Sequence, residues 1–134
     1  MSAERRDFRR DRAGATATEF ALVLPLFTLM VVAGLQFGWA QHAAGSVNFA
    51  LEQASRSLML DPSLDEAEVR ALVLAKLDPG TAARVVVSVA RATENGGEVA
   101  RLTGVYTQTI GLPALAALPF NYSRTVVTPL PVSP

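Results

Sequence analysis

The sequence predicts an α+β protein: a long N-terminal transmembrane helix that continues into a small extracytoplasmic domain of helices and a three-stranded antiparallel sheet. Three observations carry that prediction. From Phe20 to Ala40 no side chain is charged, and only Thr28 and Gln36 are strongly polar. As a helix these residues reach roughly 31 Å, about the thickness of a bilayer's hydrocarbon core, with the backbone polar groups satisfied internally. Farther on, Val85, Val87 and Val89 recur with a period of two, as on a half-buried strand. Asn95-Gly96, flanked by such strands, is a strong hairpin signal.

The totals narrow the function before any motif is considered. The chain has 134 residues, with 12 basic and 12 acidic side chains. The charge is uneven: Arg5, Arg6, Arg9, Arg10 and Arg12 precede the apolar run, against Glu4, Asp7 and Asp11. The positive-inside rule counts Lys and Arg and nearly ignores acids, so the head is expected in the cytoplasm and everything after Ala40 outside it. The result is a single-pass protein of the inner (cytoplasmic) membrane, with about 94 residues for one small outer domain. A neutral balance gives no case for nucleic-acid binding, and the basic cluster is explained as a topology signal. With no cysteine, disulfides, thiolate metal sites and thiol catalysis are excluded. The single histidine, His42, lies beside the membrane exit, where a polar residue at the headgroups accounts for it better than a triad or a metal ligand. The chain is therefore expected not to be an enzyme, to carry no cofactor and to have no small-molecule substrate.

Residues 1–14 form a charged leader without apolar periodicity, expected to be flexible. Arg5-Arg6-Asp7-Phe8 has the look of a twin-arginine export signal, but such pairs occur easily in an arginine-rich leader, and positive-inside retention explains this one without a special pathway. Residues 15–60 are expected to be the membrane helix and its outer extension. Pro25 removes one backbone hydrogen bond and is expected to kink or loosen the first turns, which membrane helices tolerate. Gly34 and Gly38 form a small-xxx-small pair, a weak signal for helix packing, and Trp39 suits the outer aromatic belt. Beyond the membrane, Val47, Leu51, Ala54 and Leu58 keep helical spacing, with Asn48, Glu52, Gln53 and Arg56 elsewhere on the surface. Asp61-Pro62 ends the helix, because a residue before proline avoids helical geometry.

Residues 61–134 are expected to form the small outer domain. Ser63-Leu64-Asp65-Glu66 reads as a capping box, followed by a stripe of Val69, Leu72, Val73 and Leu77 that Pro79-Gly80 stops. The acids of its first turn suit the positive helix start and need no cation. One strand follows from Arg84, then the turn Glu94 to Glu98. The return strand, Val99 to Ile110, puts Ala100, Leu102, Gly104, Tyr106 and Ile110 on one side. The glycines are too few, and followed by no helix, to make a phosphate loop. Gly111 to Asn121 is an apolar, Pro-punctuated connector, either a short helical turn packed on the sheet or a contact surface. Tyr122 to Thr128 is the third strand, and Pro129, Pro131 and Pro134 leave the tail frayed or at a sheet edge.

The junction carries the functional signal. Gly14 is followed by four small residues, Ala15-Thr16-Ala17-Thr18, then Glu19-Phe20 and the apolar run. With the basic leader before it, this pattern resembles the TadE-like family, pseudopilins of the tight-adherence (Flp-type) pilus system. The resemblance covers roughly Arg10 to Gln41. It implies cleavage between Gly14 and Ala15 by a prepilin peptidase on the cytoplasmic side, and a role as a minor pseudopilin supporting pilus assembly or surface adhesion. It also implies other pilin-like subunits or assembly-platform proteins as partners. Major pilins of this class usually carry Glu-Tyr; Glu19-Phe20 fits the TadE-like proteins and departs only from the major subunit. A carboxylate at the edge of hydrocarbon is costly and usually paired. Cleavage would create an amine at Ala15, four residues from Glu19 and within reach on a helix, or near Glu19 of a neighbouring subunit. The alternative for Glu19 is simple hydration at the interface.

Two other readings compete. The first forty residues could be the signal peptide of a soluble exported binding protein, with the mature chain starting at Gln41. However, the apolar run exceeds the usual signal core and lacks an A-x-A site at its end. The chain could also be an uncleaved single-pass anchor of another envelope complex.

Overall fold

The computed structural model describes residues 7–112 and 116–131. One helix dominates it: α1, Asp7–Leu60, is 54 residues long and runs unbroken through Pro25. It stops where Pro62 bars helical geometry for Asp61, whose N–H still closes the last turn on the Ser57 carbonyl at 2.9 Å. Two short helices follow, α2 (Glu66–Leu74) and α3 (Pro79–Ala82), then strands β1 (Val85–Glu94), β2 (Gly97–Ile110) and β3 (Leu118–Pro129). The strands form an antiparallel meander in the order β1-β2-β3. The β1–β2 hairpin turns on Asn95 and Gly96, with φ of 50° and 81°. These are the positive angles a two-residue hairpin requires and that Asn-Gly adopts at little cost.

The outer half of α1 lies across the inner face of this sheet. Val47, Leu51, Ala54 and Leu58 are all buried, as their helical spacing predicts, together with Ala43 and Ala50. They pack in one cluster with Val69 and Val73 of α2, Val87 of β1, and Ala100, Leu102 and Tyr106 of β2. Gly104 allows the close approach. A Cβ there would sit 2.9 Å from Leu51 Cδ1 and 3.2 Å from Val47 Cγ1. The predicted inner row of β2 is therefore correct from Ala100 through Tyr106, while Ile110 at the strand end is only partly buried. Two arginines tie the helices to the sheet: Arg91 on β1 donates to the Pro62 carbonyl at 3.0 Å and to that of Leu64, and Arg70 on α2 donates to Val87 O at 3.1 Å.

Several boundaries differ from the expectations. The leader expected to be flexible is helical from Asp7 onward, continuing the good helix formers of α1 without a proline; residues 1–6, with Glu4, Arg5 and Arg6, lie outside the described residues. The capping box is two residues later than expected. Asp65 accepts from Glu68 N–H at 2.7 Å and Glu68 accepts from Asp65 N–H at 2.9 Å. Ser63 instead donates its N–H and hydroxyl to Asp61, closing the turn after α1. In α2, Val69 and Val73 are buried as expected, but Leu72 is exposed. The helix ends at Leu74, and Pro79 does not stop it but opens α3, with Asp78 capping through Gly80 and Thr81 N–H.

β3 begins four residues earlier than predicted, so Leu118–Asn121 belong to the strand and not the connector. Pro119 is tolerated because β3 is an edge strand paired only with β2. The tail does not simply fray: Leu130 is buried, and its N–H bonds Glu98 O at 2.8 Å. Residues 113–115, the centre of the expected connector, and 132–134, including Pro134, lie outside the described residues.

Candidate functional site

The residues singled out at the junction stand together on the inner half of α1. Gly14, Ala15, Glu19 and Phe20 are all exposed, and Phe20 shows 65% of its surface. The Gly14–Ala15 peptide bond is inside the helix, and Thr18 Oγ1 donates to the Gly14 carbonyl at 2.9 Å. Its carbonyl is thus held by the second small hydroxyl residue of the motif. A protease groove takes an extended chain, so cutting here requires one turn to open. Glycine eases that step, since it is the weakest helix former after proline. Among the described residues a Cβ on Gly14 would meet nothing within 4 Å, so close packing against them does not explain the glycine. Glu19 sits one helical turn after Ala15, on the same face. Among the described residues its carboxylate has no hydrogen-bond or ion-pair partner.

From Gly14 to Trp39 no residue is buried, and the large apolar side chains point outward on every side, Leu22, Leu26, Phe27, Met30 and Leu35 among them. A helix apolar all round with no buried residue over such a length is built for lipid. α1 is long and apolar enough to cross a membrane once. Thr28 returns its hydroxyl to Leu24 O at 2.8 Å, so its one strong donor is satisfied without leaving the helix. At the outer end the Trp39 and His42 rings lie 6.2 Å apart, a pairing suited to the wet boundary of the membrane.

Sequence reasoning missed one contact set entirely. The end of the sheet reaches back to α1 below Trp39: Gln36 Nε2 donates to Gly111 O at 2.8 Å, and Phe37 meets Phe120 edge-on at 6.3 Å. Phe120 in turn stands 6.4 Å from Tyr106 in the core. The available signal was Gln36 itself, an amide in the outer half of an otherwise apolar run, which needs a partner at that depth. No cluster of three or more His, Cys, Asp or Glu side chains that could hold a metal occurs among the described residues.

The family model described as TadE-like protein matches residues 14–56. The match begins at the glycine of the junction and extends through Val47, Leu51 and Ala54 of the outer core. It agrees with the resemblance read from the junction, and it lies wholly within α1. No curated protein and no solved structure matches the chain.

Proposed function

We propose that this chain, a TadE-like protein over residues 14–56, is a minor pseudopilin of a tight-adherence pilus. It is held in the cytoplasmic membrane by the inner half of α1, with its N-terminus inside and the sheet domain outside. Prepilin peptidase removes the leader between Gly14 and Ala15. The new amine at Ala15 then pairs with Glu19, of the same chain or of a neighbour, as the helix joins other pilin-like subunits. The protein supports pilus assembly, and through it surface adhesion, as a structural part and not a catalyst. The observation that carries the reading is a coincidence of three features at one point: the Gly14–Ala15 bond, the exposed Glu19, and the start of an apolar helical stretch in which no described residue is buried before Ala40.

A soluble exported domain beginning at Gln41 fits less well. That cut would remove Phe37 from Phe120 and Gln36 from Gly111, leaving the sheet end without the helix it packs on.

The N-terminus and mass of the membrane-extracted protein test the proposal. A mature chain beginning at Ala15 is the expected result; a start at Met1 or Ser2, or at Gln41, overturns it. Gly14→Lys should accumulate the uncut form. Glu19→Ala should be cut yet fail to support piliation. Normal pili from both variants would also overturn the proposal.

A further inference from the structure

The two ends of the sheet differ in chemistry. At the β1–β2 hairpin end stand Arg91, Glu94, Glu98 and Arg101, and Arg101 pairs with Glu94. At the other end, from Gly111 to Phe120, the sequence has no charged residue. Leu118 there is 56% exposed, Ala116 and Ala117 are exposed, and Leu112 is only partly buried. β2 has 14 residues, so at about 3.4 Å per step the two ends lie roughly 44 Å apart.

The apolar end is also the end fixed to the membrane helix. Gly111 accepts from Gln36 and Phe120 packs on Phe37. Gln36 stands four residues inside Ala40, the last residue of the apolar run before the polar pair Gln41-His42, which places it about 6 Å below the outer limit of that run. The strand end therefore lies at a level the anchor's own sequence assigns to lipid. An isolated amide is costly at that depth, and the Gly111 carbonyl satisfies the Gln36 amide there.

We propose that this end of the sheet is a second membrane contact, in which Leu112, Ala116, Ala117 and Leu118 seat beside α1 in the outer-leaflet boundary between headgroups and acyl chains. The inference rests on the anchor reading above. Irregular backbone is excluded from the hydrocarbon centre, so the contact is shallow, about 5–10 Å deep as for other interfacial apolar segments. The outer domain is then held at two points and cannot swing freely about α1. Its charged hairpin is directed away from the bilayer.

Tryptophan quenching in full-length protein tests this. In a Trp39→Phe background, single tryptophans are placed by Leu118→Trp, by Leu26→Trp in mid-span, and by Val127→Trp on the exposed outer sheet face. Each is reconstituted in phosphatidylcholine–phosphatidylglycerol vesicles with and without bromine on the acyl chains. Tryptophan at 118 should lose emission to the brominated lipid and shift to the blue, as at 26, while 127 should respond only to aqueous iodide. Ala117→Trp provides a second probe if the first disturbs folding. Quenching at 26 but not at 118 or 117 overturns the second contact and leaves the anchor standing. No quenching at 26 removes the anchor and the inference together. Shielding at 118 from both bromine and iodide marks a protein partner at this edge and also overturns the proposal.

Discussion

The inner and outer halves of α1 share one continuous backbone, yet they are used in opposite ways. Between Gly14 and Trp39 nothing is buried; from Ala40 onward Ala43, Val47, Leu51, Ala54 and Leu58 disappear under the sheet. The difference lies in arrangement as well as in total apolarity. The inner half is apolar all round. The outer half confines most of its apolar side chains to one stripe and places Gln41, His42, Glu52 and Arg56 elsewhere. A stripe needs a protein partner, and an all-round apolar helix needs a lipid one. The switch occurs within one turn, where Trp39 is exposed and Ala40 wholly buried.

The strongest way to break this comparison is to make the same substitution in each half. Leu51 is wholly buried against β2, whereas Leu24 is 45% exposed in the span. Leu51→Ala should destabilise the outer domain by about 2–5 kcal/mol, the usual cost of a buried leucine truncated to a cavity. Leu24→Ala should leave that domain's unfolding midpoint unchanged, since its neighbours are lipid in both states. Urea unfolding in detergent micelles, followed by near-UV circular dichroism of Tyr106 and Tyr122, measures both. Equal losses would mean that the inner half belongs to the folded core after all.

A smaller effect sharpens the same contrast at the helix–sheet contact. Gly104→Ala places a methyl 2.9 Å from Leu51 Cδ1 and 3.2 Å from Val47 Cγ1, both fully buried and unable to move away freely. About 1–3 kcal/mol of stability should be lost through overpacking. The combination of Gly104→Ala with Leu51→Ala should cost less than the two losses added, because the cavity accepts the methyl. Strict additivity in the same urea titration would show that α1 does not press on β2 at this point.

Why Gly104 matters also shows what the sequence could and could not reveal. Periodicity placed Gly104 on the inner face of β2, along with Leu102 and Tyr106, because alternation is a local property of one strand. That Leu51 would lie above it depends on how α1 crosses the sheet, which no local pattern encodes. The same limit explains the displaced cap. Ser63 and Asp65 are both competent N-caps, and Asp61 decides between them by engaging the Ser63 hydroxyl and N–H in its own turn. β3 was foreshortened because Pro119 reads as a breaker until the strand is known to be an edge. At the junction, the pattern from Gly14 and Ala15 to Glu19 and Phe20 can be seen in the sequence because it is contiguous. The Gln36–Gly111 contact was not, since 75 residues separate its partners.

The smallest expected effect concerns the joint that closes the outer half of α1. The Ser63 hydroxyl, and after it the Ser63 N–H, hold the Asp61 carboxyl below its ordinary range. A carboxyl whose pKa is lower folded than unfolded stabilises the fold above the unfolded value, near 3.9, and that contribution is lost as pH falls through the folded value. Asp78 is lowered in the same direction, by Thr81 first, so acid sensitivity of the wild-type chain mixes the two. Asp61→Asn keeps an acceptor for Ser63 but has no charge to titrate. Between neutral pH and pH 5 the difference in melting temperature between wild type and Asp61→Asn should be constant. Below about pH 4 the difference should shrink, as the wild type alone loses the Asp61 contribution. Both groups lie outside the membrane-spanning half, so the change should appear in the unfolding of the sheet domain. A difference that stays constant down to pH 2 would show that the turn after Leu60 holds without the Asp61 charge, leaving the stop of α1 to Pro62 alone.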